Sequence, residues 1–316
     1  MRSWLAGKRI LVTGGAGFIG TSVVETLLNT RGLDRQDLVI PRSQDCDLRM
    51  FENARRALEG CQAVFHLAAK TGGIPYSRRH PASQYYDCAL MNLHVLEAAR
   101  LAGVETFVAI GNLLAYPASA PSPLREEDLY NGKVAPTHLG IGVSKRDQVS
   151  MAEMYHQEYG MNISVVLSAN AYGPRDRFDP AVAHVIPATI LKCYQGMDEL
   201  LVWGDGTPTR DFLYVEDVAE GLVLAAEKLR GFQVVNIASG EEISIGELVR
   251  LIARLTGFQG QIRFDPSQGG GDPKRSASPA RATRLMGFTP RVRLEEGLRR
   301  TIAWYHAQRE RVTVEP

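Results

Sequence analysis

Short apolar runs alternate with helical periodicity along the first half of the chain. Residues 10–13 form a short, mostly apolar run, and apolar side chains then recur at helical spacing at Val23, Val24, Leu27 and Leu28. Similar short runs follow at 38–40, 107–110 and 165–168. Strands that are buried on both faces have this continuous pattern. The alternation therefore predicts an α/β fold with a Rossmann-type doubly wound parallel sheet.

The alternation changes after about Pro174, where we predict a smaller lobe. The expected dinucleotide-binding domain covers residues 1–173, with a return segment at about 211–238. Residues 174–316 otherwise form a smaller C-terminal substrate-binding lobe. Its predicted amphipathic helices are 243–255 and 294–305.

Composition limits the class of protein. A chain of 316 residues with 45% hydrophobic content can bury a large core, and a formal charge of +1 gives no indication of a nucleic-acid partner. We find no apolar run long enough for a membrane span and no signal peptide, so we expect a cytoplasmic protein without a membrane partner. Four cysteines lack metal-ligand spacing, and we expect them to be reduced: Cys46, Cys61, Cys88 and Cys193.

Glycines stand at the junction of the first predicted strand and helix. Gly14, Gly17 and Gly20 occupy this turn, and Phe18 and Ile19 begin the helix. Gly14 allows a tight turn, Gly17 lets backbone amides approach a pyrophosphate, and Gly20 lets the helix pack closely on the strand. Glycines that only shape a loop are the alternative. The strand-turn-helix context favours dinucleotide binding, and we expect these five residues to contact NADP or NAD.

The end of the second predicted strand bears on the choice between the two dinucleotides. Residues 38–40 are followed by Arg42 instead of an acidic residue. An acidic side chain would bind the ribose hydroxyls of NAD, whereas an arginine suits the 2′-phosphate of NADP. Arg42 therefore favours NADP. An ordinary solvated surface arginine is the alternative.

Longer motifs are similar to those of a known family. The stretches 66–69 (His-Leu-Ala-Ala), 70–74 and 171–174 match the extended short-chain dehydrogenase/reductases, the NAD-dependent epimerase/dehydratase family. Within it, the chain most resembles the GDP-L-fucose synthase branch, over nearly its whole length. The resemblance implies a homodimer that forms through two long helices.

The resemblance also implies roles for residues around the cofactor. Asp47 and Leu48 correspond to positions that contact the adenine, and Ala68 lies at the strand end beneath the pyrophosphate. Lys145 matches the lysine of the family's Tyr-x-x-x-Lys pair, which donates a proton when NADPH reduces a 4-keto sugar. Lys145 is thus either a catalytic residue or only a ligand of the cofactor ribose.

Three functional positions differ from the branch together. Ile141 stands in the place of the tyrosine, Asn112 in that of the serine that orients the carbonyl, and Leu114 in that of the cysteine used in epimerisation. Tyr130, the nearest upstream tyrosine, lies eleven residues before the expected place. The hydride-transfer site is therefore predicted to be altered. Asn112 and Lys145 remain candidate catalytic residues.

The substrate half keeps the motifs of the branch. His184 corresponds to the family's second acid/base in epimerisation, and its alternative is a packed polar residue. Trp203 and Arg210 match positions that contact the nucleotide and its phosphates, where charge-assisted bonds would hold a diphosphate strongly. The other candidate substrate ligands are Asn170, Val185, Lys192 and Arg275.

Three functions remain compatible with this pattern. The first is redox-neutral isomerisation of a GDP-sugar by a mutase or epimerase, and it explains the pattern best. The second is an atypical NADPH-dependent keto-sugar reductase whose proton comes from His184, water or the substrate. The third is an inactive nucleotide-sugar-binding protein. The carboxylates of Asp176, Asp179 and Asp211 are candidate ligands for a divalent metal that would bridge them to the diphosphate.

Overall fold

The computed structural model describes residues 3–180, 182–196, 198–268 and 273–314. The strands are β1 (Ile10–Thr13), β2 (Leu38–Val39), β3 (Ala63–His66), β4 (Thr106–Asn112), β5 (Ile163–Ser168), β6 (Asn170–Tyr172), β7 (Glu199–Trp203), β8 (Thr209–Arg210), β9 (Phe212–Tyr214), β10 (Phe232–Ile237), β11 (Ile243–Ser244), β12 (Gln261–Asp265) and β13 (Lys274–Arg275). The helices are α1 (Phe18–Glu25), α2 (Phe51–Ala57), α3 (Ile74–Arg79), α4 (Pro81–Leu101), α5 (Leu139–Tyr159), α6 (Val185–Cys193), α7 (Val215–Lys228), α8 (Ile245–Thr256), α9 (Ala280–Met286) and α10 (Leu294–Val314).

A six-stranded parallel sheet forms the centre of the molecule, in the order β2-β1-β3-β4-β5-β10. Every residue of β1, β3 and β5 is buried, as expected for strands that are covered on both faces. The predicted α/β fold with a Rossmann-type doubly wound sheet is confirmed. The order reverses between β1 and β3, and ligands of such sheets bind in the crevice at that point.

The later part of the chain adds three small sheets, β11-β8-β13, β12-β7 and β6-β9. A second core cluster lies among them, with Tyr172, Ile190, Phe212, Leu248 and Leu298 fully or almost fully buried. Within the predicted return segment, β10 joins the central sheet, whereas β9 pairs with β6. The domain boundary at residue 173 stays a prediction.

One predicted helix begins later than its apolar pattern indicated. We predicted a helix from residue 243, but 243–244 form a strand and α8 begins at Ile245. The Ser244 hydroxyl accepts from the Glu247 amide at 3.1 Å, and the Glu247 carboxylate accepts from the Ser244 amide at 3.1 Å. This capping box fixes the start of the helix, because it satisfies two amides that have no partner within the helix.

Close packing at the first turn gives a test of the fold. A Cβ atom at Gly20 would lie 2.0 Å from the Gly14 carbonyl oxygen. We expect Gly20→Ala to lower the free energy of unfolding by about 1–3 kcal/mol, as overpacking does, measured by urea denaturation. Gly17→Ala is the control, since its Cβ would lie 3.2 Å from the same oxygen. A Gly20→Ala protein of unchanged stability would contradict this packing.

Candidate functional site

The crevice between β1 and β3 begins with the glycine turn. Gly14 has a φ of +66°, and a Cβ there would lie 3.0 Å from the Ala68 amide nitrogen. Gly17 precedes α1, whose first turn contains Phe18 and Ile19. Amides of a first helical turn have no partner within the helix and favour an anion. The narrow turn and the helix start therefore fit a dinucleotide pyrophosphate.

The residues predicted to contact the adenosine end lie after β2. Arg42 is exposed and Leu48 is buried. The Asp47 carboxylate pairs with Arg49 at 2.7 Å, and Arg49 also pairs with Asp87 at 2.9 Å. The hydrogen bonds from Arg49 lower the pKa of Asp47. Sequence reasoning missed Arg49, although it lies only two residues after Asp47.

Beneath the crevice, a buried chain of hydrogen bonds begins at Thr13. The Thr13 hydroxyl oxygen accepts from the amides of Leu67 at 3.0 Å and Ala68 at 3.2 Å, and it lies 2.9 Å from His66 Nδ1. His66 Nε2 lies 3.0 Å from Asn92 Oδ1, an acceptor, so we assign the ring proton to Nε2. Burial, and then the charge of Lys145, lower the pKa of His66 to about 3. His66 is thus a neutral structural residue.

The same buried chain of hydrogen bonds continues to Lys145. Gln148 Nε2 donates to Asn92 Oδ1 at 3.3 Å, and Gln148 Oε1 accepts from Lys145 Nζ at 3.2 Å. Lys145 Nζ also donates to the Ile110 carbonyl at 2.7 Å. Both of these acceptors are uncharged, and burial lowers the pKa of Lys145 to about 8. The sequence carried no signal for Gln148, since a polar residue within a helix is ordinary.

The turn after β4 contains two of the positions at which we predict altered chemistry. Asn112 ends the strand, and its Oδ1 accepts from the Leu114 amide at 3.1 Å. Ile141 lies in the first turn of α5 with 3% of its surface exposed. Its neighbour Gly142 faces this turn, because a Cβ there would lie 2.6 Å from the Leu114 carbonyl oxygen. None of Asn112, Leu114 and Ile141 has a side chain that ionises near neutral pH.

Nearby tyrosines are engaged elsewhere. The Tyr130 hydroxyl lies 2.9 Å from Ser150 Oγ, which is more than one helical turn beyond Lys145. The buried Tyr116 hydroxyl donates to Asn236 Oδ1 at 2.7 Å. Neither phenol occupies the position of Ile141.

His184 immediately precedes α6 and is exposed. Asp176 lies close enough for the His184 charge to lower its pKa, while burial has the larger effect and raises it. Asp176 is only 8% exposed, its Oδ1 accepts from the Arg177 amide, and its Oδ2 has no hydrogen-bond partner among the described residues. Arg177 donates to the Thr71 carbonyl at 2.9 Å. This bond ties the segment before His184 to the loop after β3.

Two predicted diphosphate ligands lie on paired strands of the three-stranded sheet β11-β8-β13. Arg210 on β8 is opposite Arg275 on β13, and Arg210 donates to the Thr209 carbonyl at 2.7 Å. Arg275 is 6% exposed and donates to the Leu113 carbonyl at 2.6 Å. The structure therefore brings Arg275 to the turn after β4. Its binding to a diphosphate stays a prediction.

The other candidate substrate ligands lie on several different elements. Trp203 is exposed at the end of β7, and Val185 is half-buried at the start of α6. Lys192 donates to the Leu201 carbonyl at 2.7 Å, and burial lowers its pKa. Asn170 donates to the Asp211 carbonyl at 2.9 Å.

The described residues include no group of three His, Cys, Asp or Glu side chains that could hold a metal ion. Asp211, one of the carboxylates that we considered as a metal ligand, is fully buried. It accepts hydrogen bonds from the Ser239 amide and hydroxyl and from the Gly240 amide. Burial and these hydrogen bonds make Asp211 a structural anchor. Across the described part of the chain, no helix combines the length and the apolar character that crossing a membrane requires.

Comparisons with known proteins agree with this architecture. Residues 10–238 match the model of the NAD dependent epimerase/dehydratase family. A GDP-L-fucose synthase of Sinorhizobium fredii is 36% identical over 300 residues, which are 93% of this chain and 94% of that protein. A GDP-L-fucose synthetase from Naegleria fowleri, solved with NADP bound, has a TM-score of 0.87 at 25% identity, covering 98% of this chain and 95% of the other. A UDP-glucose 4-epimerase of Thermotoga maritima has a TM-score of 0.84 at 28% identity, covering 95% and 99%. This chain is a member of the NAD-dependent epimerase/dehydratase family.

Proposed function

We propose that the protein is an enzyme that isomerises a GDP-sugar, as a mutase or an epimerase, without net hydride transfer. One feature of the sequence carries the proposal: Asn112, Leu114 and Ile141 stand where the family resemblance places the carbonyl-orienting serine, the epimerisation cysteine and the proton-donating tyrosine, and none of the three side chains ionises near neutral pH. The GDP-L-fucose synthase of Sinorhizobium fredii, similar over 93% of this chain, supports a GDP-sugar as the substrate class.

The glycine turn would hold NADP or NAD. The Naegleria fowleri synthetase was solved with NADP bound, and the turn at Gly14, Gly17 and Gly20 fits a pyrophosphate. When bound, the nicotinamide ring supplies reversible hydride transfer. Arg42 would bind a 2′-phosphate, and Lys145 would face the cofactor ribose. Because the proposed isomerisation has no net hydride transfer, the cofactor would be either structural or regenerated within each turnover.

Redox-neutral chemistry suits the groups that remain. Reduction of a ketone requires a proton for the new hydroxyl group, and loss of a positioned acid typically costs about 10²- to 10⁴-fold in rate. An isomerase takes up no net proton, so a single group that removes a proton from a substrate oxygen and returns it to the same oxygen would balance the reaction. His184 would take and return this proton at an imidazole nitrogen. Asn112, whose side chain carries amide N–H groups, would hold a substrate oxygen by hydrogen bonding.

Two other functions remain candidates. The relatives named GDP-L-fucose synthase favour an atypical NADPH-dependent keto-sugar reductase, with a proton from His184, water or the substrate. An inactive nucleotide-sugar-binding protein is the third. Incubating the protein with GDP-sugars, with and without NADPH and with Mg²⁺ or Mn²⁺, separates them by mass spectrometry and chromatography. We expect a product of unchanged mass; a gain of two hydrogens would contradict isomerisation, and an unchanged substrate would favour a binding protein.

We also propose a homodimer that forms through α4 and α5. These helices pack on each other, and they leave several apolar side chains exposed. The exposed residues include Tyr86, Leu93, Leu101, Met154 and Tyr159. Several exposed large apolar side chains on one pair of packed helices are typical of an interface.

Light scattering tests the dimer. We expect the mass of two chains for the parent protein and that of one chain for Leu93→Glu, because the substitution buries an unpaired charge in the interface. Arg263→Glu, on the exposed strand β12, is the control. A parent protein with the mass of a single chain would contradict the dimer.

Separate sites for the cofactor and the substrate predict opposite effects of two arginine substitutions. Arg210→Ala should weaken binding of a GDP-sugar by about 1.5–3 kcal/mol, the value of a hydrogen bond to a charged group, and leave NADP binding unchanged. Arg42→Ala should do the reverse. Calorimetry with GDP and NADP measures both. Equal losses for the two ligands in either variant would contradict the two-site assignment.

His184 should affect catalysis and not binding. We expect His184→Asn to fold and to bind the GDP-sugar as the parent does, with turnover lowered tenfold or more, on the scale of general acid-base effects. His156→Asn is a control, since its ring bonds the Met161 carbonyl far from the crevice. Unchanged turnover in His184→Asn would remove this residue from the mechanism.

A further inference from the structure

We infer that Arg275 is a positioning residue of the reaction site, which holds the turn after β4 from the smaller lobe. The inference rests on the proposed function for what the turn does, because that turn contains Leu114 and begins at Asn112. It also gives Arg275 a different task from direct binding of a diphosphate.

Two guanidinium groups from different elements hold this turn. Arg275 Nη1 donates to the Leu113 carbonyl at 2.6 Å, and its Nη2 lies 3.5 Å from the Pro117 carbonyl. Arg146 on α5 donates through Nε to the Ala115 carbonyl at 2.8 Å, and through Nη1 to the Gly132 carbonyl at 2.7 Å. Arg146 directly follows Lys145. The turn is thus fixed both to the helix of the predicted catalytic lysine and to the smaller lobe.

An arginine suits this place for a physical reason. The carbonyls of a turn point in different directions and have no neighbouring strand to satisfy them. The planar guanidinium presents several donors in a fixed fork, so one side chain can bond two carbonyls and fix the distance between them. A lysine ammonium is a single point charge on a flexible chain and cannot impose that spacing.

Weakening this clamp should leave the fold intact. The Leu113 carbonyl also accepts from the Tyr116 amide at 3.2 Å, and the Pro117 carbonyl accepts from the Ala120 amide at 3.3 Å. These local bonds remain without Arg275. The expected change is therefore a shift or loosening of the turn, not its unfolding. Since a displacement of about 1 Å can cost on the order of 10²-fold in rate, such a shift is enough to affect catalysis.

The strand pairing connects this clamp to the substrate site. Arg275 on β13 is the register partner of Arg210 on β8. A diphosphate held by Arg210 would lie against a sheet whose next strand grips the turn after β4. Substrate binding and the geometry of Asn112 and Leu114 are then linked through one buried side chain.

Arg275→Lys separates positioning from ligand binding. We expect the affinity for GDP, measured by calorimetry, to stay within twofold of the parent value, and turnover in the isomerisation assay to fall tenfold or more. Hydrogen exchange, followed by mass spectrometry, should become faster in residues 113–117. Arg263→Lys, which alters an exposed arginine of β12 paired with Glu199, is the matched control and should change none of these quantities.

Arg146→Lys is the second variant and should speed exchange in the same segment, because Arg146 donates to the Ala115 carbonyl. A tenfold loss of GDP affinity in Arg275→Lys would overturn the inference and make Arg275 a ligand. Unchanged exchange of residues 113–117 in both variants would also overturn it. If the proposed function is wrong, the parent protein will not isomerise a GDP-sugar. The hydrogen-exchange and GDP-affinity measurements still decide the role of Arg275 in that case.

Discussion

The candidate site depends on complete pairing of polar groups that are buried beneath the crevice. A buried polar group without a partner costs free energy, so one missing member would destabilise the others. A buried chain of hydrogen bonds runs from Thr13 through His66 and Asn92 to Gln148 and Lys145. It joins β1, β3, α4 and α5. It ends on the carbonyl of Ile110 in β4. The elements that surround the predicted cofactor site are thereby held in one arrangement.

Because of this pairing, the residues that maintain the structure are distinct from those predicted to perform the reaction. The glycine turn, the buried chain of hydrogen bonds and the clamped turn after β4 are made of backbone contacts and hydrogen bonds to uncharged acceptors, which do not depend on the reaction that takes place above them. The reaction depends on a few side chains at the end of this framework. An aliphatic side chain in the place of a phenol, which the family resemblance predicts at Ile141, would leave the site without that proton donor. A family scaffold can therefore be kept while its chemistry changes.

Several features of the fold and site were accessible from the sequence because their causes are local. The glycine turn was predicted from residue types that alone suit a φ of +66° at Gly14 and the close approach at Gly20. The start of α8 was placed two residues too early, although the Ser244 and Glu247 pair that sets it is also local. Arg49 was missed although its pairing with the Asp47 carboxylate is local, and only its second pairing, with Asp87 on α4, depends on a segment distant in sequence.

By itself, the sequence determined the alternation of strands and helices, the parallel sheet, the glycine turn and the family. Each of these follows from residue types within one short segment, or from a pattern of such segments. Only the tertiary structure decided which partners the buried polar groups have. Lys145 meets a carbonyl 35 positions away, and Arg275 meets one 162 positions away. Asp211 changed from a possible metal ligand to a structural anchor for the same reason, since burial and hydrogen-bond partners depend on how distant segments pack together.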